Sequence, residues 1–90
     1  MVKEKTHSSE NKKLNREKIK SLILYNDDYN TFDFVIINLV KICGHDFYQA
    51  EQCALIAHIK GKCQIKHGKE SYMFVLCNLL LQKGLTVEVI

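Results

Sequence analysis

An apolar run, Ser21 to Tyr25, stops at Asn26-Asp27-Asp28, and a helical pattern opens at Asn30-Thr31-Phe32-Asp33. This junction constrains the fold more than any other stretch. Ile19 to Tyr25 is short, rich in β-formers and bounded by turn residues, which predicts a strand. Asn30 can cap the first helical amides while Asp33 reaches back, in the manner of a capping box. Phe32, Val35, Ile36, Leu39, Val40 and Cys43 then recur at helical spacing until Gly44. A strand therefore gives way to a helix across a tight turn that carries two adjacent carboxylates and an amide beside an apolar core. Acids next to apolar surface require a cation or hydrogen-bond donors. The turn admits two readings: side chains that cap local amides, or a seat for an ammonium group whose owner also carries an apolar side chain.

The rest of the chain alternates in the same style. Asp46, with Gln49 three residues on, signals a second helix start. Phe47, Ala50, Ala54 and Ala57 give that helix a face of mostly small residues, and Gly61 ends it between Lys60 and Lys62. Lys62 to Lys66 alternates Cys63 and Ile65 with polar residues, a strand pattern, and His67-Gly68 reads as a turn. A third helix is predicted from about Lys69 to Lys83, with Met73, Leu76, Cys77 and Leu80 on its main face. Tyr72, Phe74, Leu79 and Leu81 widen that face, so this helix is expected to be the most buried. Gly84 closes it, and Leu85 to Ile90 forms a last strand with Val87 and Val89 on one side. The order β-α-α-β-α-β predicts an α+β fold: a small antiparallel three-stranded sheet packed with three helices.

Ninety residues make one small domain. Residues 1–18 read as a disordered basic N-terminal extension, without periodicity and rich in Lys, Ser, Asn and Glu; residues 19–90 form the core domain. The first twenty residues hold seven Lys or Arg against three Glu, whereas the remaining seventy hold six Lys against seven Asp or Glu. The net charge of +3 thus belongs to the extension, and no basic face with interleaved aromatics points to nucleic acid. No apolar run suits a signal peptide or a membrane span. Cys43, Cys53, Cys63 and Cys77 follow no C-x-x-C or zinc spacing, so they read as reduced structural thiols in a cytoplasmic protein, with no metal and no cofactor. His7, His45 and His67 are expected at the surface. His58, near a helix end, either caps carbonyls or serves a site. An enzyme using Asp27 and His58 as an acid–base pair would lack a nucleophile beside them, a phosphate loop and a metal signature, so the chain is read as a non-enzyme.

Two motifs resemble a known family. Asn26-Asp27-Asp28-Tyr29 followed by Phe34-Val35 resembles the N-D-D-x-x-x-x-x-F-V signature of the ClpS adaptors, and His58-x-x-Gly61-Lys62 resembles their H-x-x-G-K motif. The element order agrees over residues 19–90. The resemblance implies an adaptor that binds proteins with a bulky hydrophobic first residue (an N-degron: Leu, Phe, Tyr or Trp) and delivers them to a Clp AAA+ unfoldase of ClpA or ClpC type, acting as a monomer. It implies that Asn26, Asp27 and His58 clamp the substrate's α-amino group and that Asn30 contacts its backbone. Phe32, Val35, Ala54, Ala57 and Leu85 would line the hydrophobic pocket, and Glu70 would touch the unfoldase. The alternative is a small protein-interaction domain of the same fold that is indifferent to N-termini.

This chain departs from the family at several of those positions. Asn30 replaces the usual Thr or Ser, and Phe32 the usual Met. Ala54 and Ala57 are small where Met and Val are common. Val75 stands five residues after Glu70, where many relatives carry a Lys.

Overall fold

The computed structural model describes residues 17–90. The expectation of a disordered extension falls on residues 1–16, outside the described residues, and on Glu17 and Lys18. These two are held against the fold: the Glu17 carboxylate accepts from the Ser71 amide (2.8 Å) and hydroxyl (3.1 Å), and Lys18 C=O accepts from the Glu70 amide (2.9 Å). Those bonds, the one to the backbone amide foremost, hold the Glu17 carboxyl below the usual range.

The elements are β1 (Ile19–Tyr25), α1 (Phe32–Cys43), α2 (Phe47–Lys60), β2 (Lys62–Lys69), α3 (Glu70–Gln82) and β3 (Val87–Val89). They form a three-stranded antiparallel sheet in the order β2-β1-β3 with three helices, in the predicted succession. β1 occupies the centre because its run Leu22-Ile23-Leu24 is buried throughout, and only a central strand has both edges paired. Leu22, Leu24, Cys63, Ile65 and Val87 share one core with Ile36, Leu39, Ala50, Met73, Leu76 and Leu80 from the helices. α1 carries the consecutive β-branched residues Val35, Ile36 and Ile37, which are poor helix formers. Its helicity therefore rests on burying its amphipathic face more than on propensity.

Helix ends follow side-chain chemistry. Asp46 caps α2 by accepting from the Gln49 amide at 2.7 Å. At α1 the cap is Thr31, whose hydroxyl accepts from the Phe34 amide at 3.1 Å, and not Asn30. The Asn30 amide is engaged elsewhere, and the next residue takes over the capping.

Three further expectations are corrected. His67-Gly68 is not a turn: β2 runs on to Lys69, pairing Ser21 with His67, Lys20 with Gly68 and Ile19 with Lys69. The first residues of β1 need backbone partners, and that pairing overrides the local turn preference. His45 is not at the surface; it is buried, and its Nε2 lies 2.7 Å from Ile65 C=O. α3 buries Met73, Leu76, Cys77 and Leu80, but Tyr72, Phe74, Leu79 and Leu81 are exposed. A helix lying on a sheet buries one stripe, and a chain apolar on several sides does not say which.

All four cysteines are buried thiols. Burial pushes Cys43 up to about 11, and burial together with the neighbouring Cys63 pushes Cys53 up to about 12. Both therefore stay protonated at neutral pH and behave as small apolar side chains.

Candidate functional site

Both sequence motifs converge where β1 ends. The Asn26 amide donates to Gly61 C=O at 2.9 Å, and Tyr25 pairs with Lys62 across the sheet. Gly61 ends α2 with φ +93°, a left-handed conformation suited to glycine, while its own amide donates to Ala57 C=O. This one residue thus reverses the chain into β2 and ties the last turn of α2, with His58, to the Asn26 turn.

The turn is organised around Asp27. Its Oδ1 accepts from the amides of Tyr29 (3.0 Å) and Asn30 (2.9 Å), and its Oδ2 from Asn30 Nδ2 (2.9 Å) and the Thr86 hydroxyl (3.0 Å). A carboxylate offers about four lone-pair positions, so donors of the protein fill them all. Partial burial pushes the Asp27 carboxyl up, but the donors of Asn30, Thr86 and Tyr29 together outweigh it and hold it below the usual range. Asp27 is therefore a fixed negative charge at neutral pH. Its neighbour Asp28 is exposed and makes no side-chain hydrogen bond among the described residues.

Asn30 binds the turn to the far end of the chain. Its Nδ2 donates both to Asp27 and to Gly84 C=O (2.9 Å). Gly84, at φ +88°, reverses the chain after α3. With both amide hydrogens used, the Oδ1 of Asn30 is left as an acceptor. Thr86 enters the same arrangement, donating its hydroxyl to Asp27 while its C=O accepts from the Tyr25 amide. Nothing in the sequence pairs Thr86 with Asp27, because the two are neighbours only across the β1–β3 ladder.

Beside this turn lies a cavity of about 360 Å³, lined by Leu24, Tyr25, Asn26, Asp27, Asn30, Phe32, Val35, Ala54, Ala57 and His58. Leu24, Ala54 and Ala57 are buried and Val35 is half-buried, whereas Asn26 and His58 are exposed. The cavity thus has an apolar floor and a polar mouth. Phe32, also in the lining, is 41% exposed. Asn26, Asp27, Asn30, Phe32, Val35, Ala54, Ala57 and His58 are brought together, and Leu24 and Tyr25 join them although the spacing did not single them out. Leu85 does not: it is 3% exposed, packed in the core, and absent from the lining. It follows the Gly84 reversal directly, and its amide donates to Leu80 C=O at 3.1 Å, which turns its side chain inward. Glu70 stands apart, at the start of α3 beside Lys18 and outside the lining.

Chemically, the mouth presents a fixed carboxylate with amide and imidazole acceptors, and the floor presents hydrocarbon. That combination suits a ligand with a cationic donor group attached to an apolar side chain. Among the described residues no group of three or more His, Cys, Asp or Glu is arranged to hold a metal ion. No described helix is long and apolar enough to cross a membrane.

Comparison with known proteins gives a family and a fold. Residues 15–88 match the family described as ATP-dependent Clp protease adaptor protein ClpS. The chain is 40% identical over 57 residues to the ATP-dependent Clp protease adapter protein ClpS of Campylobacter jejuni, a stretch covering 63% of this chain and 59% of that protein. It is 33% identical over 61 residues to the ClpS of Desulforapulum autotrophicum, covering 68% of this chain and 59% of that protein. The match thus spans about three-fifths of the length of these curated relatives. Agrobacterium tumefaciens ClpS2, solved bound to L-phenylalaninamide, has the same fold, with TM-score 0.68 and 20% identity over 83% of this chain and 100% of that one.

Proposed function

The chain belongs to the ClpS family of ATP-dependent Clp protease adaptors, and from that premise we propose that its cavity receives the first residue of a substrate protein. The side chain enters the apolar floor while the free α-amino group rests at the polar mouth. The observation that carries this reading is the cavity itself, which joins the two motifs in one site with an apolar floor and an anionic mouth. L-phenylalaninamide, the ligand of the A. tumefaciens relative, is a minimal version of the same ligand class, an apolar side chain beside a primary amine.

An α-ammonium is a compact charge with three donors, and it is best met by oxygen and nitrogen acceptors converging from one side. Asn26 and His58, whose side chains make no hydrogen bond among the described residues, supply acceptors, directly or through water. Asp27 supplies negative charge held in place by its four donors. In this reading the Oδ1 of Asn30 accepts from the first peptide N–H of the substrate, its Nδ2 being committed to Asp27 and Gly84. In a desolvated site, loss of one partner of such a charged contact costs on the order of 2–5 kcal/mol. Burying the apolar side chain contributes about 1.5–3 kcal/mol.

Delivery completes the function: a bound substrate passes to a Clp AAA+ unfoldase of ClpA or ClpC type in the cytoplasm, with the adaptor acting as a monomer and Glu70 contributing to the unfoldase contact. The test is fluorescence anisotropy of labelled peptides that differ only at their N-terminus. Peptides with a free Phe, Leu, Tyr or Trp end should bind, and their N-acetylated forms should not. Binding that ignores acetylation would hand the function to an interaction domain of the same fold.

A further inference from the structure

The α2 wall of the cavity is made of two alanines one turn apart. Ala54 and Ala57 are 5% and 3% exposed, and each contributes a single side-chain carbon, so this wall recedes almost to the helix backbone. Phe32 and Val35 of α1 and Leu24 of β1 complete the apolar lining. None of these five side chains carries a polar atom. The polar lining residues are Asn26, Asp27, Asn30 and His58, of the turn and the exposed end of α2, and Tyr25 of β1, whose hydroxyl donates to Glu88.

Size and polarity together select a ligand. A dry apolar protein cavity of about 150 Å³ holds a benzene molecule, so about 360 Å³ admits a phenyl ring with its methylene, α-carbon and ammonium. An isobutyl group leaves part of the receding α2 wall without contact, and lining atoms that face a void lose their dispersion partners. A phenol hydroxyl or an indole N–H fills the space but carries a polar atom among side chains that cannot pair it. Phe32, partly exposed in the lining, offers an aromatic neighbour for offset or edge-to-face contact.

We infer that Ala54 and Ala57 set this pocket for an N-terminal phenylalanine, ahead of leucine and ahead of tyrosine and tryptophan. The inference rests on the N-terminal recognition proposed above and names the side chain that the site favours. Ala54 and Ala57 act as specificity determinants by what they leave open.

The experiment uses the full chain and peptides identical except for a first Phe, Leu, Tyr or Trp, each free and N-acetylated, read by anisotropy. The free Phe peptide should bind at least tenfold more tightly than each of the others. In Ala54→Met and Ala57→Val, which advance the α2 wall, Phe binding should fall tenfold or more while Leu binding changes less than threefold. Equal or tighter binding of Leu, Tyr or Trp to the unsubstituted chain would overturn the inference, as would a Phe-to-Leu ratio unmoved in the folded variants. Thermal melts show which variants fold, and if neither does, the ranking in the unsubstituted chain decides alone. A flat ranking that is still lost on acetylation defeats only this inference. Indifference to acetylation defeats the N-terminal recognition on which it rests.

Discussion

The mouth and the floor of the cavity are held by different physics. At the mouth, Asp27, Asn30, Thr86 and the carbonyls of Gly61 and Gly84 are fixed by directional hydrogen bonds of 2.9–3.0 Å that join segments up to fifty-nine residues apart. At the floor, Leu24, Val35, Ala54 and Ala57 are held by close packing inside the same core that stabilises the fold. A substitution at the floor is therefore felt first as lost stability, and one at the mouth first as lost recognition. The site separates affinity for the cationic group from affinity for the side chain.

The largest expected effect on stability comes from the floor. Leu24→Ala removes a 2%-exposed side chain and should cost about 2–5 kcal/mol. A domain this small has on the order of 5–10 kcal/mol in all, so the urea midpoint should fall by a large fraction with little change in slope. A midpoint within error of the unsubstituted chain would mean that the floor is not part of the core.

Asp27→Ala comes next and acts on both properties. Losing four donors' common acceptor should destabilise the fold by about 1–3 kcal/mol, and affinity for a free-amine peptide should fall at least ~30-fold, the lower end of the range for breaking a charged contact. Asp28→Asn sharpens the contrast. It removes a charge from the same turn, outside the cavity lining, and no hydrogen bond among the described residues, so the melt should stay within about 0.5 kcal/mol and peptide affinity should fall far less than in Asp27→Ala. Comparable destabilisation by both variants would contradict the assignment of Asp27 as the anchor of the turn.

Asn30→Ala breaks the bridge between Asp27 and Gly84 and should cost about 1–2 kcal/mol, two ordinary hydrogen bonds. An NMR titration should show the Asp27 carboxyl rising toward its ordinary value, because one of the donors that depress it is gone. An unmoved titration would show that the bridge carries no weight.

Periodicity and turn residues made the order of elements legible, since most stretches have an apolar period and a glycine or capping residue at their end; β2, which runs through Gly68 to Lys69, does not. The two motifs likewise made the meeting of Asp27 and His58 legible. Other features depend on contacts between distant segments. Asn30 has the composition of a helix cap, and only the position of Gly84 C=O explains why it does not act as one. Leu85 looks like any other apolar residue near a strand, and only the Gly84 reversal turns it into the core. His45 resembles a polar loop residue until the Ile65 carbonyl of β2 is brought to its ring. Thr86 had no local signal, since its role comes from the β1–β3 pairing.

The loss of a single donor to Asp27 is a small effect and a specific one. Thr86→Val keeps the side chain's shape and β-branching but deletes the donor to Asp27 Oδ2, and should cost about 0.5–1.5 kcal/mol at pH 7. The cost has a definite pH dependence. The Asp27 carboxyl is lowered from 3.8 in the folded state, with burial opposing and the hydrogen bonds prevailing. The unfolded chain therefore binds the proton more readily. The stabilisation from the ionised carboxylate is fully present above the unfolded pKa and is lost as pH falls through the folded one. Thr86→Val weakens that depression, so the stability gap between the two proteins should be widest from pH 5 upward and narrow on acidification below 3.8. Urea melts at a series of pH values would measure it. A gap that stays constant down to the most acid sample would mean that the hydroxyl stabilises the fold without sensing the charge on Asp27, and the mouth would then lose one of the donors credited with keeping it anionic.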